Sequence, residues 1–408
     1  MQIRPILAAL RYHKAGTLLI ALQIALTLAI VCNALFIIRQ RLGQLSRPSG
    51  VDESALLLVH NQWAGKPSAD QVASMMATDL ATLRSVPGVA NVYASNTYPL
   101  SGDGTVFGIG HSPDKKSYND STAIYFVDDN ALATLGLKLI AGRNFRSDEI
   151  STLSKHSKVE PDEIIITQAL AHHLFPETSA LGKAVYLSAR PSIIIGVVAR
   201  LRTPWVDSSM AKWDESSTLL PYRRLEGYTD YVIRAQPGQL DDVARHVKAV
   251  LYAANRMRVI SPKDGVRTFA DVRAQAYNSD RGMAILMTVI SLIMLTITGS
   301  GIVGLTSFWV GQRRKQIGVR RALGATQHDI LSYFLTENLL IGVAGVIVGG
   351  VLAVGLNLWL MNQFEMEKLA MGYVVAGVAI LLLLGQGAVL APALRASKVP
   401  PVEATRSV

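Results

Sequence analysis

The chain has 408 residues, and half of them are hydrophobic, which predicts membrane-spanning segments beside a soluble domain. The net charge is +10, but residues 39–282 carry 28 basic and 25 acidic side chains, so most of the excess lies outside that segment. Positive charge that collects beside apolar runs is typical of membrane flanks, and it argues against nucleic acid as a partner. Cys32 is the single cysteine, so an intrachain disulfide is excluded.

Four apolar runs are long enough to cross a bilayer. Arg39 and Arg41, and no cleavage site, follow the first run, so we interpret it as an uncleaved helix. Basic residues near the run ends number three, five and three on one side and one on the other, which predicts cytoplasmic termini. The predicted segments are a cytoplasmic N-terminus (1–15), four transmembrane helices (16–38, 283–310, 330–361 and 372–393), a periplasmic domain with a helical stalk at both ends (39–282), a cytoplasmic loop (311–329), a short periplasmic loop (362–371) and a cytoplasmic tail (394–408).

The large insertion between the first two spans has a β-α-β order near each of its ends. Two such halves can join into one ferredoxin-like layer of strands and helices, with a β-rich insertion at about 100–225 between them. The predicted fold class is therefore an α-helical membrane protein with four transmembrane helices plus a large α+β extracytoplasmic domain between helices 1 and 2. The predicted halves are strand 53–62, helix 69–85 and strand 89–97, and then strand 228–235, helix 240–254 and strand 257–260.

Two apolar seams predict a stalk. Leucines and isoleucines continue at spacings of four and three residues beyond the first span, and a weaker seam precedes the second span. We interpret the seams as two helices that leave the membrane side by side. The alternative is that they are ordinary interface residues. The predicted stalk residues are Leu35, Ile38, Leu42, Leu45, Phe269, Val272 and Ala276.

A short basic segment lies between the second and third spans. Read as a helix, it is amphipathic, with one apolar seam of Ile317, Ala322 and Leu323 and one basic face. Gly324 predicts the end of this helix, and Thr326 with Asp329 forms a capping-box pattern for the next one. Such a helix can also lie on anionic lipid, so composition alone leaves two interpretations open. The candidate coupling residues are Arg313, Arg314, Gln316, Ile317, Gly318, Arg320, Arg321, Ala322, Leu323, Gly324 and Ala325.

The run Gln-Ile-Gly-Val-Arg-Arg-Ala-Leu-Gly-Ala that begins at Gln316 resembles the signature of MacB/FtsX/LolC-type ABC transporter permeases. Further pieces resemble the family in order, namely Leu-Gly-Leu-Lys-Leu from Leu135, Leu-Phe-Pro from Leu174 and Ile-Ile-Gly-Val-Val from Ile194. The resemblance covers nearly the whole chain. One position departs from the signature, because Gln316 stands where the family usually has Glu.

The resemblance implies that the basic segment is a coupling helix that docks on a cytoplasmic ABC ATPase dimer. It also implies a second permease copy (a homodimer or a sister permease) and mechanotransmission, in which ATP hydrolysis by the partner moves the periplasmic domain. Export of a peptide, a drug or another periplasmic substrate is the function that it favours, with a periplasmic adaptor and an outer-membrane channel in a Gram-negative cell. Two other functions stay open, namely lipoprotein extraction as in LolC-type subunits and regulation of a cell-wall hydrolase as in FtsX.

No catalytic motif is present. The sequence lacks the phosphate-binding G-x-x-x-x-G-K-[ST] run and the H-E-x-x-H and G-x-S-x-G motifs, so we expect no ATP hydrolysis and no enzyme activity in this chain. ATP and Mg²⁺ are expected on the partner ATPase, and no metal site is predicted, because His172 and His173 are adjacent and point to different helix faces. Glu337 is an acid near a span interior, and we assign it a structural role. Close helix packing is predicted at Gly342, Gly345 and Gly349.

Overall fold

The structure is a computed structural model that describes residues 14–114, 120–154, 157–206, 213–364, 368–398 and 400. The predicted N-terminal segment and the end of the predicted tail therefore lie largely outside the described residues. The chain divides into two compact units. Residues 47–278 form the extracytoplasmic unit, and residues 1–46 together with 279–408 form the membrane unit.

The described residues contain ten α-helices, five of them in each unit. Those of the membrane unit include the four longest. The helices are α1 (Lys14–Leu45), α2 (Ala69–Arg84), α3 (Ala131–Leu135), α4 (Gln168–Leu174), α5 (Leu240–Ala254), α6 (Phe269–Ala276), α7 (Asn278–Gln312), α8 (Arg314–Ala322), α9 (Gln327–Phe364) and α10 (Met371–Ser397).

The strands all belong to the extracytoplasmic unit, where they form two main sheets and a two-stranded pair. They are β1 (Leu56–Trp63), β2 (Val89–Ser95), β3 (Thr105–Ile109), β4 (Asp120–Phe126), β5 (Leu139–Gly142), β6 (Ser151–Ser154), β7 (Glu163–Thr167), β8 (Ala184–Tyr186), β9 (Pro191–Val198), β10 (Ser217–Leu220), β11 (Tyr222–Leu225), β12 (Tyr228–Ala235), β13 (Arg258–Val259) and β14 (Val266–Thr268).

The first sheet has the strand order β13-β1-β12-β2, with antiparallel neighbours throughout. This is the order of a ferredoxin-like layer made from two β-α-β halves, as the sequence predicts. Alternate residues of β1 and β12, such as Leu57 opposite Ile233, face helices α2 and α5 and form one buried apolar core. Ser68 starts α2 with a capping box in which its hydroxyl accepts the Gln71 N–H.

The β-rich insertion between β2 and β12 forms the second sheet, in the order β3-β4-β10-β7-β9-β5, with β8 paired to β9. It mixes parallel and antiparallel neighbours, since β4 runs parallel to β10 while β10 runs antiparallel to β7. Its core is a separate apolar cluster that includes Ile124, Phe126, Ile164 and Ile194. The fold class predicted from the sequence is thus confirmed. One sheet of the extracytoplasmic unit is built from the two ends of its chain segment, and the other is built from the insertion between them.

Helices α1, α7, α9 and α10 are long and apolar enough to cross a membrane. Each is longer than its apolar run; α1 has 32 residues, or about 48 Å at 1.5 Å per residue, against a ~30 Å hydrocarbon core. Helix α9 packs closely along α1, because Gly345 and Gly349 present no side chain there. A Cβ atom at Gly349 would lie 2.8 Å from the Ala25 carbonyl oxygen, whereas Gly342 faces Leu382 of α10.

The two predicted halves of the stalk differ in the structure. Helix α1 runs without a break to Leu45, and Leu42 is 51% exposed while Leu35 and Ile38 are half-buried. The second half is not one continuous helix, because α6 ends at Ala276 and Tyr277 has non-helical backbone angles before α7 begins.

The same spacing that predicted a stalk helix instead places apolar residues in the core of a soluble unit. Phe269 and Val272 are buried within the extracytoplasmic unit, against its first strand and the short 3₁₀ turn Glu53–Ala55. A spacing of three and four residues identifies an apolar helix face, but it does not identify the body on which that face packs.

Candidate functional site

The basic segment between the second and third membrane helices forms helix α8. Arg313 separates it from α7. It ends at Ala322 and is followed by Leu323 and then by Gly324, which adopts a φ of +99° that a residue with a side chain rarely accepts. Helix α9 then starts with the capping box that the sequence predicts. The Asp329 N–H donates to the Thr326 hydroxyl, and the Thr326 N–H donates to the Asp329 carboxylate at 2.9 Å.

One face of α8 packs inside the membrane unit. Ile317 is 4% exposed, and Gly318 beside it is also buried. Ile317 belongs to an apolar cluster with Trp309 of α7 and with Ile330 and Phe334 of α9. This face therefore fixes α8 to the ends of two membrane helices, and it is not available to a partner.

A buried ion pair joins the start of α8 to α9. Nη1 of Arg313 donates to both carboxylate oxygens of Glu337, at 3.1 and 3.0 Å. Both side chains are largely buried, with 12% of Arg313 and 4% of Glu337 exposed. A charge withdrawn from water is tolerated when an opposite charge is hydrogen-bonded to it, and Arg313 supplies that charge to Glu337.

Two further arginines tie α8 to its neighbours. The guanidinium of Arg320 lies 5.0 Å from the ring centroid of Tyr333 on α9, within the range of a cation–π contact. Arg321 donates to the backbone carbonyl of Ser397 at the end of α10. Helix α8 is therefore held to both α9 and α10.

The outward face of α8 carries exposed apolar and cationic groups together. Leu323 is 83% exposed, and Val319, one turn earlier, is 47% exposed. The single apolar seam that the sequence suggested is therefore wrong, because Ile317 points inward while Leu323 points outward, six residues or about 240° further around the helix. The other candidate residues that lie on the exposed side are Arg314, Gln316, Arg320, Ala322 and Gly324, while Arg321 and Ala325 are half-buried.

The described part of the chain contains no group of three or more His, Cys, Asp and Glu side chains that could hold a metal ion. His173 instead lies 2.6 Å from the Asp120 carboxylate, on the surface of the extracytoplasmic unit. The arrangement at α8 offers apolar surface and positive charge but no nucleophile and no acid–base pair.

The ferredoxin-like layer contains two pairs of oppositely charged or titratable side chains with buried members. Asp79 and Arg258 form a fully buried ion pair at 2.7 Å, to which the Tyr231 hydroxyl also donates. On the other face of the sheet His60 pairs with Asp230 at 2.7 Å. The hydrogen bond to Asp230 raises the pKa of His60, and burial raises the pKa of Asp230.

Comparison with known families decides the identity of the chain. The family model of the MacB-like periplasmic core domain matches residues 17–250, and that of the FtsX-like permease C-terminal matches residues 288–401. The chain belongs to the MacB/FtsX-like family of ABC transporter permeases. It is an inner-membrane protein with a periplasmic domain, as these families and the four apolar helices indicate.

Relatives of two kinds match this permease. The ABC transporter permease YknZ of Bacillus subtilis is 24% identical over 416 residues, which cover 99% of this chain and 98% of YknZ. The macrolide export ATP-binding/permease protein MacB of Neisseria meningitidis is 28% identical over 290 residues, which cover 70% of this chain and 43% of MacB. MacB of Chromobacterium violaceum is 26% identical over 280 residues, which cover 66% of this chain and 41% of that protein. The permease thus spans about two fifths of the length of its MacB relatives.

Two solved structures match part of this chain. The extracellular domain of YknZ from Gram-positive bacteria is 16% identical, covers 52% of this chain and 98% of its own length, and has a TM-score of 0.32. The periplasmic region of MacB from Actinobacillus actinomycetemcomitans is 16% identical, covers 58% of this chain and 98% of its own length, and has a TM-score of 0.35.

The sequence interpretation missed the partner of Glu337 and the exposure of Val319. Nothing in the sequence pairs Glu337 with Arg313, since the two lie 24 residues apart across a turn between helices. Val319 could have been found, because it lies four residues before Leu323 and therefore on nearly the same face of a helix.

Proposed function

We propose that the permease converts ATP hydrolysis by a separate cytoplasmic ABC ATPase dimer into movement of its periplasmic domain. The observation that carries this proposal is the outward face of α8, where Leu323 is 83% exposed amid cationic side chains. A highly exposed leucine at the end of a helix that is held to its neighbours is suited to a protein pocket, which would bury its side chain.

The alternative occupant of this face is lipid. A helix that lies on lipid would turn its apolar stripe towards the membrane and its cations towards water. In the permease the inward position is held by Ile317, and Leu323 lies on the same outward side as Arg320 and the exposed end of the helix. This distribution supports docking on a protein with a hydrophobic pocket and an acidic rim.

The packing of the membrane unit supports transmission of a force from this site. Helix α8 is fixed to α9 through Arg313 and Glu337. Helix α9 packs closely on α1, because Gly345 and Gly349 have no side chains to keep the two helices apart. Helix α1 continues as one helix to Leu45, beyond the length that a bilayer requires, and the extracytoplasmic unit begins at Arg47. We therefore assign α1 the role of the lever.

The proposed assembly contains two permease copies, or this permease with a sister permease, on one ATPase dimer that binds ATP and Mg²⁺. Both termini and α8 are placed in the cytoplasm. The proposed work is export of a periplasmic substrate, and a drug or a peptide is the substrate class we favour, in part because MacB relatives are named for macrolide export. A periplasmic adaptor and an outer-membrane channel complete the pathway where the cell has an outer membrane.

The docking site can be tested by one substitution. We expect Leu323→Asp to abolish copurification of the ATPase with the full chain from its native cell, because the substitution would place a charge in the apolar pocket proposed for Leu323. Membrane insertion and thermal stability should not change, since Leu323 makes little contact within the permease. Met257→Asp is the matched control, because Met257 is 58% exposed on the extracytoplasmic unit and should retain the ATPase. Normal copurification with the Leu323→Asp variant would refute the assignment of α8.

A further inference from the structure

A fully buried arginine of the β-rich insertion contacts residues near both ends of the extracytoplasmic unit. Arg202 is 1% exposed, and its Nε and Nη2 atoms donate to the Asp214 carboxylate at distances of 2.6 to 3.1 Å. Its Nη1 atom donates to the Tyr277 hydroxyl. We call Arg47, Ser49, Arg202, Asp214 and Tyr277 the Arg202 junction.

The junction holds the N-terminal connection, the segment 47–55 that follows α1 in the chain. Nη1 of Arg47 donates to the Asp214 carboxylate at 3.1 Å, and the Arg202 N–H donates to the Ser49 carbonyl at 2.9 Å. Gly50, with a φ of +90°, passes so close that a Cβ atom there would lie 2.4 Å from the Arg200 carbonyl oxygen. An ion pair, a backbone hydrogen bond and close packing at Gly50 therefore all hold this segment in place.

The same junction holds the C-terminal connection, the segment 269–277 that precedes α7. The Tyr277 ring lies under two guanidinium groups, with its centroid 5.9 Å from Arg202 and 5.4 Å from Arg273. Arg273 also donates to the Glu53 carboxylate and to the Arg47 carbonyl, each at 2.6 Å. The two connections are thus tied to each other as well as to Arg202.

On its other side the junction is anchored in the second sheet. The Tyr125 hydroxyl of β4 donates to the Arg202 carbonyl at 2.5 Å, and the Ser217 hydroxyl of β10 donates to the Leu201 carbonyl at 3.0 Å. The Thr203 N–H donates to the Asp214 carbonyl at 2.9 Å. Strands β4 and β10 are neighbours in the centre of that sheet.

We propose that Arg202 and Asp214 are positioning residues that fasten both connections to the β-rich insertion, so that movement of either membrane helix is delivered to that insertion. This role rests on the proposed function for the origin of the movement. A buried ion pair adds little stability over an apolar core of the same volume, but its hydrogen bonds fix the relative orientation of the groups that they join. Such a group is suited to hold three segments in one orientation.

Amide hydrogen exchange on the full chain in nanodiscs tests the fastening. Tyr277→Phe removes only the hydroxyl, so exchange in 269–277 should become faster by about tenfold while 47–55 stays unchanged. Arg47→Gln should give the opposite pattern, and Arg202→Gln should loosen both connections. If Arg202→Gln does not fold, Tyr277→Phe and Arg47→Gln, which each remove one contact of the junction, still test the proposal.

The matched control is Asp128→Asn. Asp128 is another buried carboxylate of the same unit, paired with Arg223 at 3.0 Å, and it makes none of the junction's contacts. It should leave both connections protected. Unchanged exchange at the connections in Tyr277→Phe and Arg47→Gln would overturn the proposal, and so would equal loosening of both connections by Asp128→Asn.

A second measurement uses the ATPase captured with the full chain and separates this inference from the proposed function. Vanadate-trapped and nucleotide-free complexes are compared by exchange at α8 and at 200–206. In the unsubstituted permease both segments should respond, and in Tyr277→Phe the response at 200–206 should fall while that at α8 remains. An undiminished response at 200–206 would overturn the junction's role. Failure of α8 to respond in the unsubstituted permease would instead contradict the proposed function, while the fastening result would stand.

Discussion

Arg313 and Glu337 form the ionic link between helix α8 and the third membrane helix, α9, with Arg313 Nη1 at 3.1 and 3.0 Å from the two carboxylate oxygens. Glu337→Gln would leave Arg313 charged and without its counter-ion in a site that is almost closed to solvent. We expect a loss of about 3–5 kcal/mol in the free energy of unfolding. Thermal unfolding of the purified permease measures it.

The double variant Arg313→Gln with Glu337→Gln is the control for that prediction. It removes both charges, so it should regain part of the stability that the single variant loses. A double variant as unstable as the sum of the two single ones would show that the two side chains do not interact.

Helix packing gives a second prediction with an internal control. A Cβ atom at Gly349 would lie 2.8 Å from backbone atoms of Ala25, while one at Gly355 would meet nothing within 4 Å. Gly349→Ala should destabilise the membrane unit by about 1–3 kcal/mol because α1 and α9 must separate. Gly355→Ala should be neutral or slightly stabilising, since alanine favours the helix. Equal stability of the two variants in thermal unfolding would contradict this packing.

The His60–Asp230 pair predicts a pH dependence of stability. The pKa of His60 is raised above its ordinary value by its hydrogen bond to Asp230, so the folded state favours the protonated ring. Stability from this group is fully present below the unfolded pKa of about 6.5 and is lost as the pH rises through the folded pKa.

The matched measurement compares the unsubstituted permease with His60→Gln between pH 6 and pH 9. The difference in melting temperature should be largest at pH 6 and should shrink as the pH rises. A difference that is constant across this range would mean that the charge of His60 does not stabilise the fold.

Much of the fold follows from local patterns. The ferredoxin-like halves are predictable because the spacing of apolar residues changes from that of a strand to that of a helix within short segments. The start of α9 is predictable because Thr326 and Asp329, three residues apart, hydrogen-bond to each other. The four membrane helices follow from apolar length alone.

Other features depend on contacts between distant segments. The break at Tyr277 has no Gly or Pro to announce it, and it forms where the ring is buried beside Arg202, which lies 75 residues earlier in the chain. Likewise the apolar spacing of α8 does not reveal that Ile317 packs inward while Leu323 faces outward. Both features depend on which distant segments pack against these residues, and the sequence alone does not show that packing.

The lever role of α1 can be tested where the helix extends beyond the length that the bilayer needs. Leu42→Pro removes the hydrogen bond from residue 42 to the Ile38 carbonyl and costs about 3 kcal/mol in a helix interior. Leu42 is half exposed, so the permease should still fold and bind its ATPase. Leu42→Ala keeps the helix and is the matched control.

The deciding measurement is the change in amide exchange across residues 47–278 between the nucleotide-free complex and the complex trapped with vanadate, with ATP hydrolysis measured separately on the untrapped complex. We expect the unsubstituted permease and Leu42→Ala to show this change, and Leu42→Pro to lose it while ATP hydrolysis continues. A full change in the Leu42→Pro complex would contradict mechanical transmission through α1, and the helix would then be only a tether.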